Sequence, residues 1–479
     1  MTNKIKLYKY ITPLIFCLAM LGCKVPMIAP STANAVIPKL YDKNTDTTIT
    51  EPIVWKTYFK DKNLIDLIDT ALKNNQELMI TLQDIEIAKN EIRMRKGRML
   101  PSIGLAAAAG VEKVGRYTSQ GAGDASAEIT PGNLVPEKLS DFRIAAIANW
   151  EVDIWKKLRN AKKAAISRYL STIEGKNFVV TNLIAEVANS YYELLALDNQ
   201  LLVIKQNIDL QKNALEVVKI QKEAARATEL AVQKFKAEVL SSQNREFDVR
   251  QKIKETENRI NFLLGRYPQE IVRDNIDFLT LKPTKISPGI PPQLLANRPD
   301  IKQAELELAA SKLDVKVAKA EFYPSLNISA AIGLQAFKPT YLFKLPESVL
   351  YALAGDIAGP LINRNAIKAE FYNANSRQLQ AMYNYQRTVL NAYFEVSNQL
   401  SNINNLEKSY SLKSQQVDAL KKSIEVSGDL FKSARVDYFE VLMTQRDALE
   451  AKLELVETQK QLLNATVGIY RNLGGGWQQ

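Results

Sequence analysis

Near the start of the 479-residue chain, Met20-Leu21-Gly22-Cys23 closes an apolar run, ITPLIFCLAMLG, that follows Lys4, Lys6 and Lys9. A basic segment followed by a short apolar stretch predicts a secretory signal over residues 1–22, too short to span a bilayer as a helix. Gly22-Cys23 fits the end of a lipobox, where a cysteine thiol is acylated and becomes the first residue of the processed chain. Cys17 lies inside the signal, so the processed chain would keep Cys23 alone. A single thiol forms no internal disulfide, which suits a lipid attachment point. That covalent lipid is the one prosthetic group expected, and no other cofactor is. The chain has no histidine, so the usual zinc and histidine-based catalytic sets are missing. Neither a glycine-rich phosphate loop nor a GxSxG elbow occurs. No catalytic residue and no metal site is expected; the chain does not read as an enzyme.

The formal charge of +11 falls to +8 once the three lysines of residues 1–22 are removed. The remaining charge is spread along helices and interleaved with Asp and Glu. No compact basic patch with interleaved aromatics stands out, which argues against nucleic acid as a partner.

What positions the chain is a repeated transition. LKNNQELMITLQDIEIAKNEIRMRKGRMLPSIGLAAAAGV, from Leu72, aligns without a gap on LANRPDIKQAELELAASKLDVKVAKAEFYPSLNISAAIGLQA, from Leu295. Asn74 falls on Asn297, Pro101 on Pro324 and Gly110 on Gly333, all 223 positions apart. A charged helical pattern stops at each proline, which lacks an N–H and disfavours helix in the residue before it. Beyond the proline the period becomes two. Ile103, Leu105, Ala107, Ala109 and Val111 alternate with Ser102, Gly104, Ala106, Ala108 and Gly110. Leu326, Ile328, Ala330, Ile332 and Leu334 alternate with Asn327, Ser329, Ala331 and Gly333. Two further strands alternate likewise, one through Phe142, Ile144 and Trp150 and one through Val349, Tyr351 and Leu353. About ten residues with one apolar and one small or polar face describe a transmembrane β-strand, though a sandwich strand alternates the same way. The chain supplies four such strands, in pairs at about 102–152 and 325–358. Four strands cannot close a barrel around a lumen, and an open edge in lipid leaves backbone groups unpaired. If these strands cross a membrane, several chains must share one barrel.

Two long helical elements follow the strand pairs, at about 154–226 and 365–434, and they repeat as well. ARATELAV at 225–232 parallels ARVDYFEV at 434–441, and FLLG ending at Gly265 parallels RNLG ending at Gly474, both 209 positions apart. SYYEL at 190–194 parallels AYFEV at 392–396 with an offset of 202, so the second copy carries about two extra helical turns. The expected organisation is a signal at 1–22, an acylated arm at 23–61, a first repeat at 62–265, a proline-rich linker at 266–292, a second repeat at 293–474 and a tail at 475–479.

WKTYFKDKNLIDLIDTAL, WEVDIWKKLRNA, the LLANRPD segment, DIAGPLINRNAIKAEF and ARVDYFEVLMTQRDALEAK together cover nearly the whole processed chain. In these segments the sequence resembles the TolC-like outer-membrane efflux factors, in the lipoprotein branch that serves resistance-nodulation-division pumps. The resemblance implies a mostly α chain with a membrane β-barrel. Three chains would form a homotrimer with a 12-stranded outer-membrane barrel, continuous with a long periplasmic α-helical barrel. It implies as partners outer-membrane lipid, a periplasmic adaptor and an inner-membrane pump of that class. It places the periplasmic hairpin tips, and adaptor contact, at Ala224, Ala225 and Arg226 and at Ser433, Ala434 and Arg435. It places an acidic aperture at Glu440 with Asp437 nearby, while Met443 stands where a second acid is often found. Arg435 and Arg446 could instead hold that end through ion pairs between helices. The helix–strand transitions fall at Pro101, Pro324 and Pro360. Related chains often have Gly where Lys156, Ala225 and Ala434 stand here, and Phe where Ile362 stands. The alternatives are a duct for one-step protein secretion and, in another class, a pore-less periplasmic scaffold or adaptor lipoprotein.

Overall fold

The computed structural model describes residues 25–26, 38, 41, 54–274, 278–282, 289–360, 364–433 and 435–477. The expected signal, Cys23, most of the arm, Ile362 and Ala434 lie outside them. In chain order the first elements are α1 (Trp55–Tyr58), α2 (Lys62–Asn74), α3 (Gln76–Gly97), β1 (Ser102–Glu112), α4 (Ser119–Asp124), β2 (Glu128–Thr130), β3 (Asn133–Leu134) and β4 (Leu139–Val152). Then come α5 (Lys157–Glu223), α6 (Glu229–Leu263), α7 (Gln293–Asn297), α8 (Pro299–Ala320), β5 (Ser325–Ala336), β6 (Val349–Ala358), α9 (Asn365–Lys432) and α10 (Tyr438–Asn472). The chain divides into two units.

The first unit, Met1–Thr32, Ile87–Tyr169 and Leu306–Met382, holds the strands. They form one antiparallel sheet in the order β1-β4-β5-β6, so the pairing of β4 with β5 joins the two repeats. The strands β1 and β5 each begin just beyond a helix stop, and β6 ends just before a proline. The α3 helix ends at Gly97 and Pro101 precedes β1; α8 ends at Ala320 and Pro324 precedes β5; Pro360 follows β6. Indole groups tie these junctions together. Trp150 Nε1 donates to the Met99 carbonyl at 3.1 Å, and Trp155 Nε1 donates to the Pro324 carbonyl at 2.7 Å. Trp155 also stacks on Tyr323, with ring centroids 4.8 Å apart. The start of α5 is fixed by Asp153, whose carboxylate accepts the amides of Leu158 at 3.0 Å and Arg159 at 2.9 Å, satisfying helix-end donors. Burial opposes ionisation of that carboxyl, but these amides and the Arg159 guanidinium outweigh it and hold it below the usual carboxylate range.

The segment between β1 and β4 reads in the sequence as a plain loop. The structure gives it α4 and the small β2–β3 hairpin instead. Thr118 caps α4 by accepting the Gly121 amide, and Lys113 meets Glu137 at 3.0 Å across the segment's two ends. Small residues such as those of SQGAGD carry weak propensity, which these local bonds override.

The second unit, Ala33–Glu86, Leu170–Glu305 and Tyr383–Gln479, is helical. Its main core gathers Trp55, Leu64, Ile68, Tyr191, Leu194, Ile260 and Tyr470, with Tyr58 stacked on Tyr470 at 4.6 Å. At roughly 1.5–3 kcal/mol for each large apolar side chain removed from water, such clusters supply the driving force for packing the helices. The two repeats also share one backbone joint. Gly265 (φ +66°) ends the α6 return and Gly474 (φ +82°) ends the α10 return. A Cβ on Gly265 would meet the Asn74 carbonyl oxygen at 2.3 Å, and one on Gly474 would meet the Asn297 carbonyl oxygen at 2.5 Å. Both positions therefore require glycine on conformation and on space.

Beside that joint the next residue of each repeat bonds to the same carbonyl level. Asn75 Nδ2 donates to Leu263 O at 2.9 Å, and Arg298 Nη1 donates to Asn472 O at 3.0 Å. Asn75 and Arg298 are 223 residues apart, and Leu263 and Asn472 are 209 apart. Arg298 is buried, and Asp300 (2.7 Å) and Glu395 (2.8 Å) supply its counter-charge. Burial works against the guanidinium's charge, but the two carboxylates raise its pKa above the usual arginine value.

Candidate functional site

In an antiparallel ladder, residues directly opposite one another share a face. The register pairs Ile103 with Ala148, Leu105 with Ala146, Ala107 with Ile144 and Ala109 with Phe142. It carries on through Ile144 with Leu334, Ala146 with Ile332 and Trp150 with Ile328. It ends with Ile328 opposite Gly355, Ala330 opposite Leu353, Ile332 opposite Tyr351 and Leu334 opposite Val349. One face of all four strands is thus apolar from edge to edge. Leu105 is 87% exposed, Tyr351 81% and Ile103 77% on this face. Such a surface is unfavourable in water and suited to hydrocarbon. The opposite face carries Ser102, Gly104, Asn149, Glu151, Asn327, Ser329 and Asp356, and is mostly small or polar, with Ile147 and Leu350 among its apolar exceptions. Across it Asn327 donates to Asp356 at 3.3 Å and Gln335 to Asp141 at 2.8 Å. The outer strands β1 and β6 each have one side unpaired. Among the described residues no helix is long and apolar enough to cross a membrane.

The residues expected at the hairpin tips lie at the turns between α5 and α6 and between α9 and α10. At the first turn the Ala225 amide bonds to Lys222 O at 2.9 Å and the Arg226 amide to Gln221 O at 2.7 Å. This pair of bonds closes a helix with one left-handed residue, and Ala225 takes that place at φ +58°. A side chain there costs about 1–2 kcal/mol relative to glycine. Thr228 then caps α6, and Lys222 pairs with Glu229 across the turn. At the second turn the Arg435 amide bonds to Leu430 O at 2.9 Å, the equivalent bond, while Ala434 lies outside the described residues. Asp437 occupies the N-cap of α10 without a side-chain hydrogen bond to it. Lys156 also takes a positive φ, +62°.

Glu440 and Asp437 are exposed, and Met443 is half-buried. In the single chain neither acid forms an ion pair among the described residues, and neither do Arg435 and Arg446. The position equivalent to Glu440 in the first copy is Ala231, which is buried with Val218, Val232, Phe235 and Val441. The first copy therefore supplies no acid at the position of Glu440. Among the described residues no group of His, Cys, Asp and Glu is arranged to hold a metal ion. Sequence reading missed the buried Arg298 cluster, although the RPD of LLANRPD, an arginine beside an acid in an otherwise apolar segment, was a visible signal.

A sheet with one apolar and one polar face, incomplete at both edges, defines a transmembrane β-barrel protein that closes only with strands from elsewhere. The chain belongs to the outer membrane efflux protein family, whose pattern matches residues 67–266 and 290–475. It is similar to the pyoverdine export outer membrane protein OpmQ of Pseudomonas aeruginosa, 27% identical over 424 residues, 88% of this chain and 87% of OpmQ. It is similar also to the cation efflux system protein CusC of Escherichia coli strain K12, 24% identical with 88% of each chain covered. The outer-membrane channel OprN has the same fold, with a TM-score of 0.83 at 23% identity over 95% of this chain and all of that one. The chain is thus an outer-membrane efflux channel protein and not an enzyme.

Proposed function

We propose that three copies form the exit duct of a tripartite efflux system, passing substrates that an inner-membrane pump delivers through a periplasmic adaptor. The carrying observation is the two-faced, open-edged sheet, which gives each chain a share of a barrel wall. Twelve strands, four from each of three chains, enclose a lumen lined by the small and polar face. The turns at Ala224-Ala225-Arg226 and Ser433-Ala434-Arg435 meet the adaptor, and Glu440 with Asp437 rings the periplasmic aperture. Lipid on Cys23 anchors the arm to the inner leaflet of the outer membrane. No catalytic group is needed, because the pump supplies the energy.

The relatives support the efflux role by what they export, pyoverdine for OpmQ and cations for CusC. Electron microscopy of protein extracted from outer membranes in mild detergent tests the reading. A threefold hollow cylinder with a micelle belt at one end is expected. Monomers, or rods without a lumen, would point to a pore-less scaffold instead.

A further inference from the structure

The two segments joining strands at the far end of the sheet from the helices differ in a way the channel role does not explain. The longer one, 113–138, carries as many acids as bases and pairs Lys113 with Glu137. The shorter one, 337–348, reads FKPTYLFKLPES and keeps its charge free. Lys344 Nζ lies 4.8 Å from the centre of the Tyr341 ring and Lys338 Nζ 5.9 Å from it. Phe337 meets Tyr341 edge-on, with ring centroids 5.2 Å apart. Among the described residues neither lysine forms an ion pair with a carboxylate, and the segment's own acid, Glu347, forms none either. Beside them Phe343 is 73% exposed and Leu345 66% exposed.

These groups continue a surface already assigned. The segment follows Leu334 and precedes Val349 and Tyr351, all on the apolar face of the sheet. Phe343 and Leu345 add an exposed phenyl and an exposed isobutyl group just beyond the strand ends. Two unneutralised lysines then stand where hydrocarbon gives way to headgroups. Aromatic rings and lysines at that depth are stable only when the ring meets the acyl boundary and the ammonium meets an anion or water.

We infer that the 337–348 segment docks the phosphate-bearing headgroups of anionic outer-leaflet lipid. Lys338 and Lys344 meet the phosphate, and Phe343 and Leu345 enter the acyl boundary. The inference rests on the strands crossing the outer membrane, with the helices on the periplasmic side. Each lysine held near an anionic surface favours association about fivefold, and the effect fades with salt.

The test uses full-length protein carrying Phe343→Trp, reconstituted in phosphatidylcholine vesicles. The brominated quenching lipid is either phosphatidylglycerol or phosphatidylcholine at equal fraction. The signal of the four native tryptophans is subtracted using protein without the substitution. At low salt, brominated phosphatidylglycerol is expected to quench the new indole at least about twofold more strongly. The excess should shrink at about 1 M salt, where screening is nearly complete, and vanish in Lys338→Gln/Lys344→Gln protein. Equal quenching by the two lipids at low salt would overturn the inference. So would no quenching by either, which would mean that another chain covers the segment. The salt series on protein with both lysines decides the matter even if the double variant fails to insert. Conductance across the same vesicles keeps the two readings apart. No conducting channel counts against the duct, while a conducting channel without lipid preference counts against this segment alone.

Discussion

At the first hairpin tip Lys222 and Glu229 are joined by an ion pair. At the same places in the second tip, 209 residues on, stand Phe431 and Tyr438, packed against Val218, Phe235 and Val441. The backbone turn is shared, since both tips make the same bond from an arginine amide back to the helix end. The side chains have diverged. One tip offers charge and the other an aromatic contact, while Glu440 has only Ala231 as its counterpart. Duplication thus preserved the joints that set helix direction and released the side chains at the tips. An adaptor meeting both tips would meet two different surfaces.

The glycine joint that each repeat makes should be the least forgiving part of that comparison. Gly265→Ala and Gly474→Ala each force a Cβ onto a carbonyl oxygen in a left-handed conformation, so each should cost at least about 3 kcal/mol. Both variants should lose the folded oligomer on a semi-native gel. Unequal losses would show that the halves are not equivalent at this level.

The neighbouring pair should separate the copies. Arg298→Ala strands Asp300 in a partly buried site and should cost about 3 kcal/mol, while Asn75→Ala should cost about 1–2 kcal/mol. Midpoints of urea unfolding followed by helical circular dichroism would compare them.

At the tips the effects are smaller and one has the opposite sign. Ala225→Gly relieves a left-handed alanine and should stabilise the first turn by up to about 1 kcal/mol. It should slow proteolytic nicking there without touching the second tip. Glu229 gives the smallest effect. Its hydrogen bonds to Lys222 and Gln233, and then the lysine's charge, hold its carboxyl below the usual glutamate range. A depressed carboxyl stabilises the fold above its ordinary pKa, and that contribution is lost as pH falls through the folded value. Acidification below about pH 4 should therefore speed nicking at the first tip more than Glu229→Gln protein shows at the same pH.

The strands were legible because period two survives in a membrane sheet, where each residue meets either lipid or lumen. Pro101 and Pro324 were legible because proline stops a helix whatever surrounds it. The resemblance marked Lys156 and Ala225 as places where glycine is expected, and both prove to be left-handed residues. The Asn75–Leu263 and Arg298–Asn472 bonds were not legible, because nothing local in NNQ or NRPD names a carbonyl well over a hundred residues away. The fold of 113–138 escaped as well, since its order rests on side-chain caps and an ion pair and not on a periodic pattern.

The central claim is that separate chains close one barrel through their edge strands, and cysteine cross-linking in the membrane tests it most directly. Ala106→Cys on β1 and Ala354→Cys on β6, with the second site stepped two residues either way, place thiols on opposite edges of the chain's own sheet. Mild oxidation should give a ladder ending at three chains for one register and not for the others, reversed by reductant and absent from each single variant. Chains that stay single in every register, or a ladder running well past three, would contradict the shared barrel.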